Sequence, residues 1–479
     1  MKELPIHIQL DPKSGKTLYE QIYEYIRDEI RAGSLLQNEK LPSSRFLAEY
    51  LQVSRTTVDM AYGQLVAEGY LEARPKRGYY VCAPDNLYEI AVKPSETEMK
   101  YTAAKEQTSY LYDFSPNAID MSFFPYATWK KITKNILVDA KSSMFALGEP
   151  QGDIELRTTI CRYLHGSRGV NCEPEQIIIG AGNDFLLLLL EKILGRHTPV
   201  AMENPTYVRA YKIFRSFAYP VSLIPMDENG IRVDVLRQTD ARVAYVMPSH
   251  QYPTGVSVPI GRRLELLKWA SEEEGRYLIE DDYDSEFRYK GKPLPSLQAS
   301  DTDGRVVYIG TFSKAIAPAI RISYMVLPYP LLEKYREQCG FFSSTVSRID
   351  QTILNEFIRD GYFERYLNKM RKQYRIKHDI LMNELKPFEQ FFKISGGNAG
   401  LHILLTDRRD RSEEELAALA KDAGIKVYCM GAFRMEEAEK QTQEDGQKES
   451  EPATMILGYG ALSPEEIREG TAILRKVWC

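Results

Sequence analysis

The chain of 479 residues is too long for one ordinary domain, so two or three folding units are expected. Hydrophobic residues make up 43% and charged residues 27%, which is the balance of a globular protein rather than of a disordered or membrane-spanning one. The net charge of -5 excludes a chain that is basic throughout, although a small DNA-reading module can lie within an acidic whole.

Cysteine usage and apolar runs exclude further classes. The six cysteines are scattered without C-x-x-C spacing, so we expect neither a metal site nor a disulfide framework. The longest apolar run, Phe185 to Leu190, is far short of the roughly 20 residues that a membrane span needs. Because the polar N-terminus does not resemble a signal peptide, the sequence predicts a cytoplasmic, reduced protein with no membrane partner.

The N-terminal part predicts a winged helix-turn-helix at residues 12–82. Apolar residues recur every four positions in residues 18–32, which indicates an amphipathic helix. A short helix is predicted over 43–51 and, after a turn, another over 54–68. Residues 70–81 alternate like the two strands of a hairpin. The order of helix, short helix, turn, helix and hairpin is that of a mainly α domain with a β wing.

A DNA-facing surface follows from that order. The second helix of such a motif lies in the major groove, so its first turn needs short hydrogen-bonding side chains and an arginine. Basic residues before it and on the wing supply phosphate contacts. The candidate DNA-binding residues are Ser43, Arg45, Ser54, Arg55, Thr56, Thr57, Arg74, Lys76, Arg77 and Gly78. The alternative is that Ser54 only caps a helix and the arginines lie in water. Acidic and basic residues are equally numerous here, so a binding face requires their segregation.

Residues 83–111 predict a linker, and residues 112–479 a second domain. The linker is rich in Pro, Ser, Thr and mixed charges. After it, short apolar strands alternate with longer helical stretches, which predicts an α/β domain with a mostly parallel sheet. A smaller α+β segment follows from about Phe341, with a long, largely helical run over 351–385. Residues 436–452 are polar throughout and predict a solvated loop.

Lys314 lies in GTFSKAIAPAIR, among small, hydroxyl and apolar residues that are unusual around a solvated surface lysine. Lysine amines become nucleophiles when their protonation is suppressed, notably to form a Schiff base with pyridoxal 5'-phosphate (PLP). Such a site also requires a carboxylate for the ring nitrogen, a phosphate cradle, a planar group over the ring and a donor to the phenolic oxygen.

Each of these groups has a candidate after a predicted strand. The Gly180-Ala181-Gly182-Asn183 turn offers backbone amides at a helix N-terminus, which suit a phosphate, although it also suits any tight turn. Tyr207, in ENPTY, can stack on a ring or be an ordinary loop tyrosine. The carboxylates in EDDYD are costly at a strand end unless a cation meets them, and either a pyridinium or a metal ion would do so. Thr311, Ser313 and Arg321 flank Lys314 and can bind phosphate.

These segments resemble known families. LPSSRFLAEYLQVSRTTVDMAYGQLVAEGYL and RPKRGYYV are similar to the GntR-type DNA-binding domain, and residues 112–479 resemble a fold type I aminotransferase. The whole chain resembles the MocR subfamily of GntR regulators in ENPTY, PSHQYPTG, EDDYDSEF and GTFSKAIAPAIR. The resemblance implies that PLP is held on Lys314 as an internal aldimine. It implies further roles for Asp281 at the ring nitrogen, Tyr283 at the phenolic oxygen, Tyr207 over the ring, and Arg321, Thr311 and the Ala181 and Gly182 amides at the phosphate.

Two departures from ordinary aminotransferases concern the substrate. Tyr252 stands where an asparagine usually contacts the phenolic oxygen, and Ile456 stands where many aminotransferases have a carboxylate-binding arginine. Both disfavour efficient transamination. Arg209, His250 and Arg434 are the candidate effector-binding residues, although a lone arginine is more often a surface residue.

The sequence therefore predicts a PLP-dependent, DNA-binding transcription regulator. Its expected partners are a double-stranded DNA operator and an amine, an amino acid or PLP itself as effector. The resemblance also implies a homodimer, with a linker long enough to let each DNA-binding head lie over the other subunit. The alternatives are a working aminotransferase with a DNA-binding appendage and a regulator whose vestigial pocket only dimerises the protein.

Overall fold

The computed structural model describes residues 8–11, 14–82, 110–138, 142–288, 294–436 and 452–479. The chain divides into two compact units, Met1–Gln107 and Thr108–Cys479. Most of the predicted linker at 83–111 and of the predicted polar loop at 436–452 lies outside the described residues.

The first unit has the predicted order of three helices and a hairpin. Its elements are α1 (Leu18–Arg31), α2 (Ser44–Leu51), α3 (Arg55–Ala67), β1 (Leu71–Arg74) and β2 (Gly78–Val81). Thr17 and Glu20 form a capping box that begins α1, and the Ser54 side chain accepts from the Thr57 N–H to begin α3. Ile26, on the apolar face of α1, packs into a core that also contains Leu47 and Tyr62.

The second unit is built from twelve helices and fourteen strands among its described residues. The helices are α4 (Tyr126–Val138), α5 (Ile154–Arg168), α6 (Asn183–Leu194), α7 (Val208–Ser216), α8 (Val233–Leu236), α9 (Ile260–Ser271), α10 (Phe312–Ala315), α11 (Tyr329–Gln338), α12 (Arg348–Arg359), α13 (Tyr362–Glu384), α14 (Glu413–Asp422) and α15 (Pro464–Trp478). The strands are β3 (Tyr112–Asp113), β4 (Ile177–Gly180), β5 (Val200–Asn204), β6 (Val221–Asp227), β7 (Gly230–Ile231), β8 (Val243–Val246), β9 (Tyr277–Asp282), β10 (Val306–Thr311), β11 (Ser323–Val326), β12 (Phe392–Ser395), β13 (His402–Asp407), β14 (Ile425–Lys426), β15 (Tyr428–Cys429) and β16 (Thr454–Gly458).

The main sheet has the strand order β4-β11-β10-β9-β8-β5-β6-β7. Strands β10, β9, β8, β5 and β6 pair in parallel, whereas β11 and β7 run against their neighbours. Every residue of β9 is buried, as expected for a central strand covered on both faces. Because the parallel strands end at one edge of the sheet, the loops that follow β5, β8, β9 and β10 meet there.

A smaller sheet of order β12-β13-β16-β15 forms the C-terminal part. The predicted helical run over 351–385 is divided into α12 and α13, because Gly361 adopts a left-handed conformation (φ 74°) between them. No helix in the described part of the chain is long and apolar enough to pass through a bilayer.

Gly458, at the end of β16, lets a preceding segment approach the sheet closely. Its N–H donates to the Phe114 carbonyl at 2.8 Å, and a Cβ at this position would overlap the backbone carbonyl of Ser115. The same segment carries Pro116, whose carbonyl accepts a hydrogen bond from Lys314. The glycine therefore contributes to the position of one wall of the site around Lys314.

We expect Gly458→Ala to destabilise the second unit by about 2 kcal/mol or more, because the backbone must shift to admit the methyl group. A Cβ on Gly166 in α5 would meet no described atom within 4 Å, so Gly166→Ala should be neutral or stabilising by up to about 1 kcal/mol. Thermal unfolding of the full chain, followed by circular dichroism, measures both. Equal unfolding temperatures for the two variants would contradict the close approach.

Candidate functional site

A cavity of about 690 Å³ lies at the carboxyl edge of the main sheet. It brings together residues that are far apart in sequence, from the ends of strands and from the loops and helices that follow them. The predicted residues that line it are Gly182, Asn183, Tyr207, Arg209, Asp281, Tyr283, Thr311, Ser313, Lys314 and Arg321.

Lys314 lies in the one-turn helix α10, directly after β10. The Thr311 side chain begins this helix by accepting from the Ser313 N–H at 3.2 Å. The Lys314 Nζ donates to the Pro116 carbonyl at 3.1 Å and lies 5.8 Å from the centroid of the Tyr283 ring. Burial lowers the pKa of Lys314, and Asp284 partly opposes that effect. Burial therefore increases the fraction of the uncharged amine, which is the nucleophilic form.

The carboxylates at the end of β9 are satisfied by different groups. Glu280 accepts from the backbone N–H groups of Leu297 and Gln298 at 2.7 and 2.9 Å. Asp282 accepts from Arg168 Nε at 2.8 Å and from the Tyr308 hydroxyl at 2.5 Å. The alternative of a metal site here is not supported, since within the described residues these oxygens do not gather at the spacing of metal ligands.

Asp284 is satisfied as well, so Asp281 is the carboxylate of this group that faces the cavity. Asp284 contacts His250, whose Nδ1 is 3.0 Å from Oδ2. Asp281 is 3% exposed and accepts from the buried Tyr245 hydroxyl and from the Asn183 side chain. Burial raises the pKa of Asp281 to about 7, while the Tyr245 hydrogen bond opposes that rise. A positively charged ring nitrogen would stabilise its ionised form.

A phosphate-sized group is accommodated where α6 begins. Gly182 has a positive φ of 92°, and a Cβ there would lie 2.5 Å from Arg321 Nη2, so only glycine lets this guanidinium approach. The Ser313 hydroxyl is buried without a hydrogen-bond partner among the described residues, as expected of a group that awaits a ligand. Thr311 accepts from the Ser323 hydroxyl at 2.8 Å.

The two backbone amides predicted at this phosphate have partners within the chain. The Ala181 N–H donates to the Thr345 hydroxyl at 3.0 Å, and the Gly182 N–H to the Gly180 carbonyl at 2.8 Å. Arg321 Nη2 likewise donates to the Ala181 carbonyl at 3.3 Å and lies 3.5 Å from Asp184 Oδ2, so the Ser313 hydroxyl is the candidate phosphate contact that has no partner among the described residues.

The three predicted effector residues lie in different surroundings. Arg209 lines the cavity mouth, where its Nη1 is 3.3 Å from Asp184 Oδ2. His250 is 3% exposed and lies behind the wall formed by Tyr283, outside the cavity lining. Arg434 follows the lining residue Phe433.

Part of the lining was not predicted from the sequence. These residues are Asn117, Ile119, Asp184, Val208, Lys212, Ile213, Ser216, Met247, Pro318, Ser323 and Phe433. Tyr245 at Asp281 was not predicted either, because nothing distinguishes one buried strand tyrosine among 31 tyrosines.

The predicted DNA-facing residues cluster at α2, the first turn of α3 and the wing. Ser43 and Ser54 cap α2 and α3, and the Thr57 hydroxyl is 2.8 Å from that of Ser54, so these side chains have structural partners. Arg55 and Thr56 are exposed on the first turn of α3. The remaining predicted positions that are exposed are Arg45, Lys76 and Arg77.

The wing is held by its own contacts. Arg74 donates to Glu72 and to Asn38, and it covers the Tyr80 ring at 4.3 Å from the centroid. Gly78 has a positive φ of 101° at the turn, which glycine adopts without strain. The contacts of Arg74 therefore hold the hairpin whose turn carries the exposed Lys76 and Arg77.

One group of metal-ligand residues departs from the expectation of no metal site. Cys161, His165 and Cys172 bring their ligand atoms within 4.8 Å of one another, although their spacing fits no common motif. The Cys172 carbonyl accepts from Cys161 at 3.1 Å and lies 2.8 Å from His165 Nε2, which accounts for their approach.

Comparison with known proteins assigns both units. Residues 18–81 match the family model of bacterial regulatory proteins of the gntR family, and residues 117–442 match that of aminotransferases of class I and II. The chain is similar to the structure of a multiple substrate aminotransferase from Thermococcus profundus, with TM-score 0.67 and 24% identity over 78% of this chain and 92% of the other. It is also similar to kynurenine aminotransferase of Pyrococcus horikoshii, solved with PMP, with TM-score 0.65 and 25% identity over 78% and 91%. The predicted combination of folds is confirmed.

Three similar proteins align with this chain over 90% or more of its length. The chain is 39% identical to the uncharacterised HTH-type transcriptional regulator YdeL of Bacillus subtilis over 96% of both chains. It is 33% identical to the pyridoxine biosynthesis regulator PdxR of Corynebacterium glutamicum, over 90% of this chain and 92% of PdxR. It is 30% identical to the probable rhizopine catabolism regulatory protein MocR of Rhizobium meliloti, over 98% and 95%. The chain belongs to the MocR-type GntR regulators, in which a GntR helix-turn-helix precedes a class I and II aminotransferase domain.

Proposed function

We propose that this protein is a transcription regulator that binds an operator through its first unit and carries PLP on Lys314 in its second. The observation that carries the proposal is that the desolvated Lys314 amine and the buried Asp281 carboxylate line one cavity. Relatives that bear the names of transcriptional regulators support the DNA-binding role.

The cavity fits PLP in its charges as well as in its size. When bound, PLP supplies an aldehyde that links covalently to amines and a ring that withdraws electrons. Lys314 would hold the aldehyde carbon, Asp281 would accept from the ring nitrogen, and Tyr207 would cover the ring. Arg321 and Ser313 would bind the phosphate.

An effector with an amine could replace Lys314 in that link. An effector that also has a carboxylate would require a cation other than the arginine that many aminotransferases have at the position of Ile456. Ile456 is fully buried and packs with Leu404 and Met430, so this position offers the cavity no charge. Arg209 is the cation of the cavity mouth that we propose for this role, because its partnership with Asp184 is solvent-exposed and therefore weak.

A homodimer would give this regulator two DNA-binding heads, matched to two half-sites. The second unit exposes large apolar side chains at Val138, Phe145, Leu147 and Phe341, each at least 69% exposed. We propose that a second copy of this chain covers these exposed side chains. We propose that effector binding changes the populations of dimer arrangements and thereby the spacing of the heads.

Lys314→Ala should abolish the yellow absorbance band that we expect when the purified protein is mixed with PLP, because the covalent link needs the ε-amine. Lys212→Ala is the matched control, since it removes another lysine that lines the same cavity and should keep the band. Absorbance spectroscopy after removal of free PLP measures both. A band that persists in Lys314→Ala would contradict the assignment of Lys314.

Arg55→Ala should weaken binding to the selected operator by about 1 to 3 kcal/mol and leave binding to scrambled DNA nearly unchanged, because base contacts carry specificity. Arg77→Ala, on the wing, should weaken both complexes alike and reduce the salt dependence of binding. The operator is obtained by sequencing the DNA that the protein selects from a random pool, and fluorescence anisotropy measures affinities. An equal loss on both DNAs for Arg55→Ala would exclude base reading by this residue.

A further inference from the structure

The wall of the cavity that carries Tyr283 is backed by a buried His–Asp pair, His250 and Asp284. Each side chain is 3% exposed. The His250 Nδ1 lies 3.1 and 3.0 Å from the two carboxylate oxygens of Asp284 and 3.0 Å from the Tyr283 hydroxyl. One ring nitrogen therefore joins a buried charge to a tyrosine that lines the cavity beside Lys314.

These contacts determine where the hydrogens lie. A nitrogen between two carboxylate oxygens carries a hydrogen, so Nδ1 is assigned as N–H from this hydrogen-bond network. His250 Nε2 is buried without a hydrogen-bond partner among the described residues, which suits a nitrogen without a hydrogen. The Tyr283 oxygen then faces an N–H group. Asp284 also lies within hydrogen-bonding reach of the Tyr283 hydroxyl, so the hydroxyl hydrogen turns to an acceptor on the cavity side when the His250 N–H occupies that carboxylate.

The His250 ring has little room to turn. A Cβ on Gly400 would overlap the ring, and one on Gly255 would lie 3.5 Å from Nε2. The ring of His402 lies 5.4 Å away between centroids, and its Nε2 is 2.9 Å from the Pro253 carbonyl. Packing from β13 and from the loop after β8 therefore holds His250 in one orientation.

Several titratable groups surround this pair. Burial lowers the pKa of His402 to about 3, so this ring is neutral. Burial would raise the pKa of Asp284, but the hydrogen bond from His250 and the positive charge of Lys314 hold it below its usual range, so the carboxylate is ionised. Tyr252 and Asp281 are the other acidic groups that act on Tyr283, and burial raises the pKa of Tyr283 so that its hydroxyl keeps its hydrogen.

We propose that His250 and Asp284 act as positioning residues that direct the Tyr283 hydroxyl toward the cofactor and so set the proton affinity of the Lys314 nitrogen once it is linked to PLP. The inference rests on the proposed function, because it assumes that PLP is held on Lys314. It assigns His250 a role behind the cavity wall in place of direct effector contact.

We expect substitutions of His250 and of Asp284 to shift the pKa of the PLP-linked Lys314 nitrogen in opposite directions. Without the Nδ1 donor, Tyr283 donates to Asp284 instead of the cofactor, and the Asp284 charge acts on Lys314 without its partner. Both changes favour the protonated Lys314 nitrogen, so its pKa rises. In Asp284→Asn the attraction to Lys314 is removed and Tyr283 is free to face the cavity, so that pKa falls.

The test is a pH titration of the absorbance band of the PLP-loaded full-length protein. We expect His250→Gln to raise the midpoint by roughly 1 unit and Asp284→Asn to lower it by a similar amount. His250→Asn places an amide donor near the Nδ1 position and should restore a midpoint close to that of the unaltered protein, whereas the longer glutamine amide reaches the Nε2 position. His378→Asn is the control, because His378 pairs with Asp379 at 3.0 Å, away from the lining of the cavity.

The outcomes separate this inference from the proposed function. Midpoints that shift in the same direction in His250→Gln and Asp284→Asn, or that stay at the unaltered value, would overturn the positioning role while the band itself still supports PLP on Lys314. Absence of the band from the unaltered protein would instead overturn the proposed function. If His250→Gln fails to fold, a fall in Asp284→Asn with an unchanged His250→Asn supports the inference, and any other combination overturns it.

Discussion

The organisation of the site depends on how the carboxylates at the end of β9 are partnered. Glu280 is satisfied by backbone amides, Asp282 by Arg168 and Asp284 by His250, so Asp281 is directed to the cavity. Tyr245 and Asn183 donate hydrogen bonds to Asp281, but a buried carboxylate without a cation beside it is costly, and burial raises the pKa of Asp281 to about 7. A ligand with a positive ring nitrogen relieves that cost. The same cavity contains the desolvated Lys314 amine. The carboxylate for a ring nitrogen and the amine nucleophile therefore lie in one cavity.

The regulatory character arises from what surrounds this centre. Ile456 is buried in a small apolar cluster and leaves the cavity without a cation from β16. The Arg209 side chain at the mouth is more than half exposed, and its contact to Asp184 is solvent-exposed as well. A site that forms a covalent link with an amine but binds the carboxylate of that amine weakly is better suited to reversible sensing than to repeated catalytic turnover.

Elements whose signals are local could be predicted from the sequence. Periodicity and capping residues predicted the cap at Ser54, the hairpin after α3 and the strands around Asp281 and before Lys314. The resemblance to aminotransferases indicated that Asp281 and Lys314 belong to one site. Contacts across the fold were not predictable. Tyr245 meets Asp281 and Arg168 meets Asp282 through packing between distant segments, and neither side chain carries a local signal. His250 was singled out from sequence, but its burial behind Tyr283 depends on the close approach of Gly400.

The central claim is that PLP is attached to the nitrogen of Lys314. Borohydride reduction of the protein mixed with PLP makes such a link permanent, and mass spectrometry of the digested chain then locates it. The account predicts a phosphopyridoxyl mass increment on the peptide that contains Lys314 and not on the peptide that contains Lys212. An unmodified Lys314 peptide, or an increment spread equally over surface lysines, would contradict it.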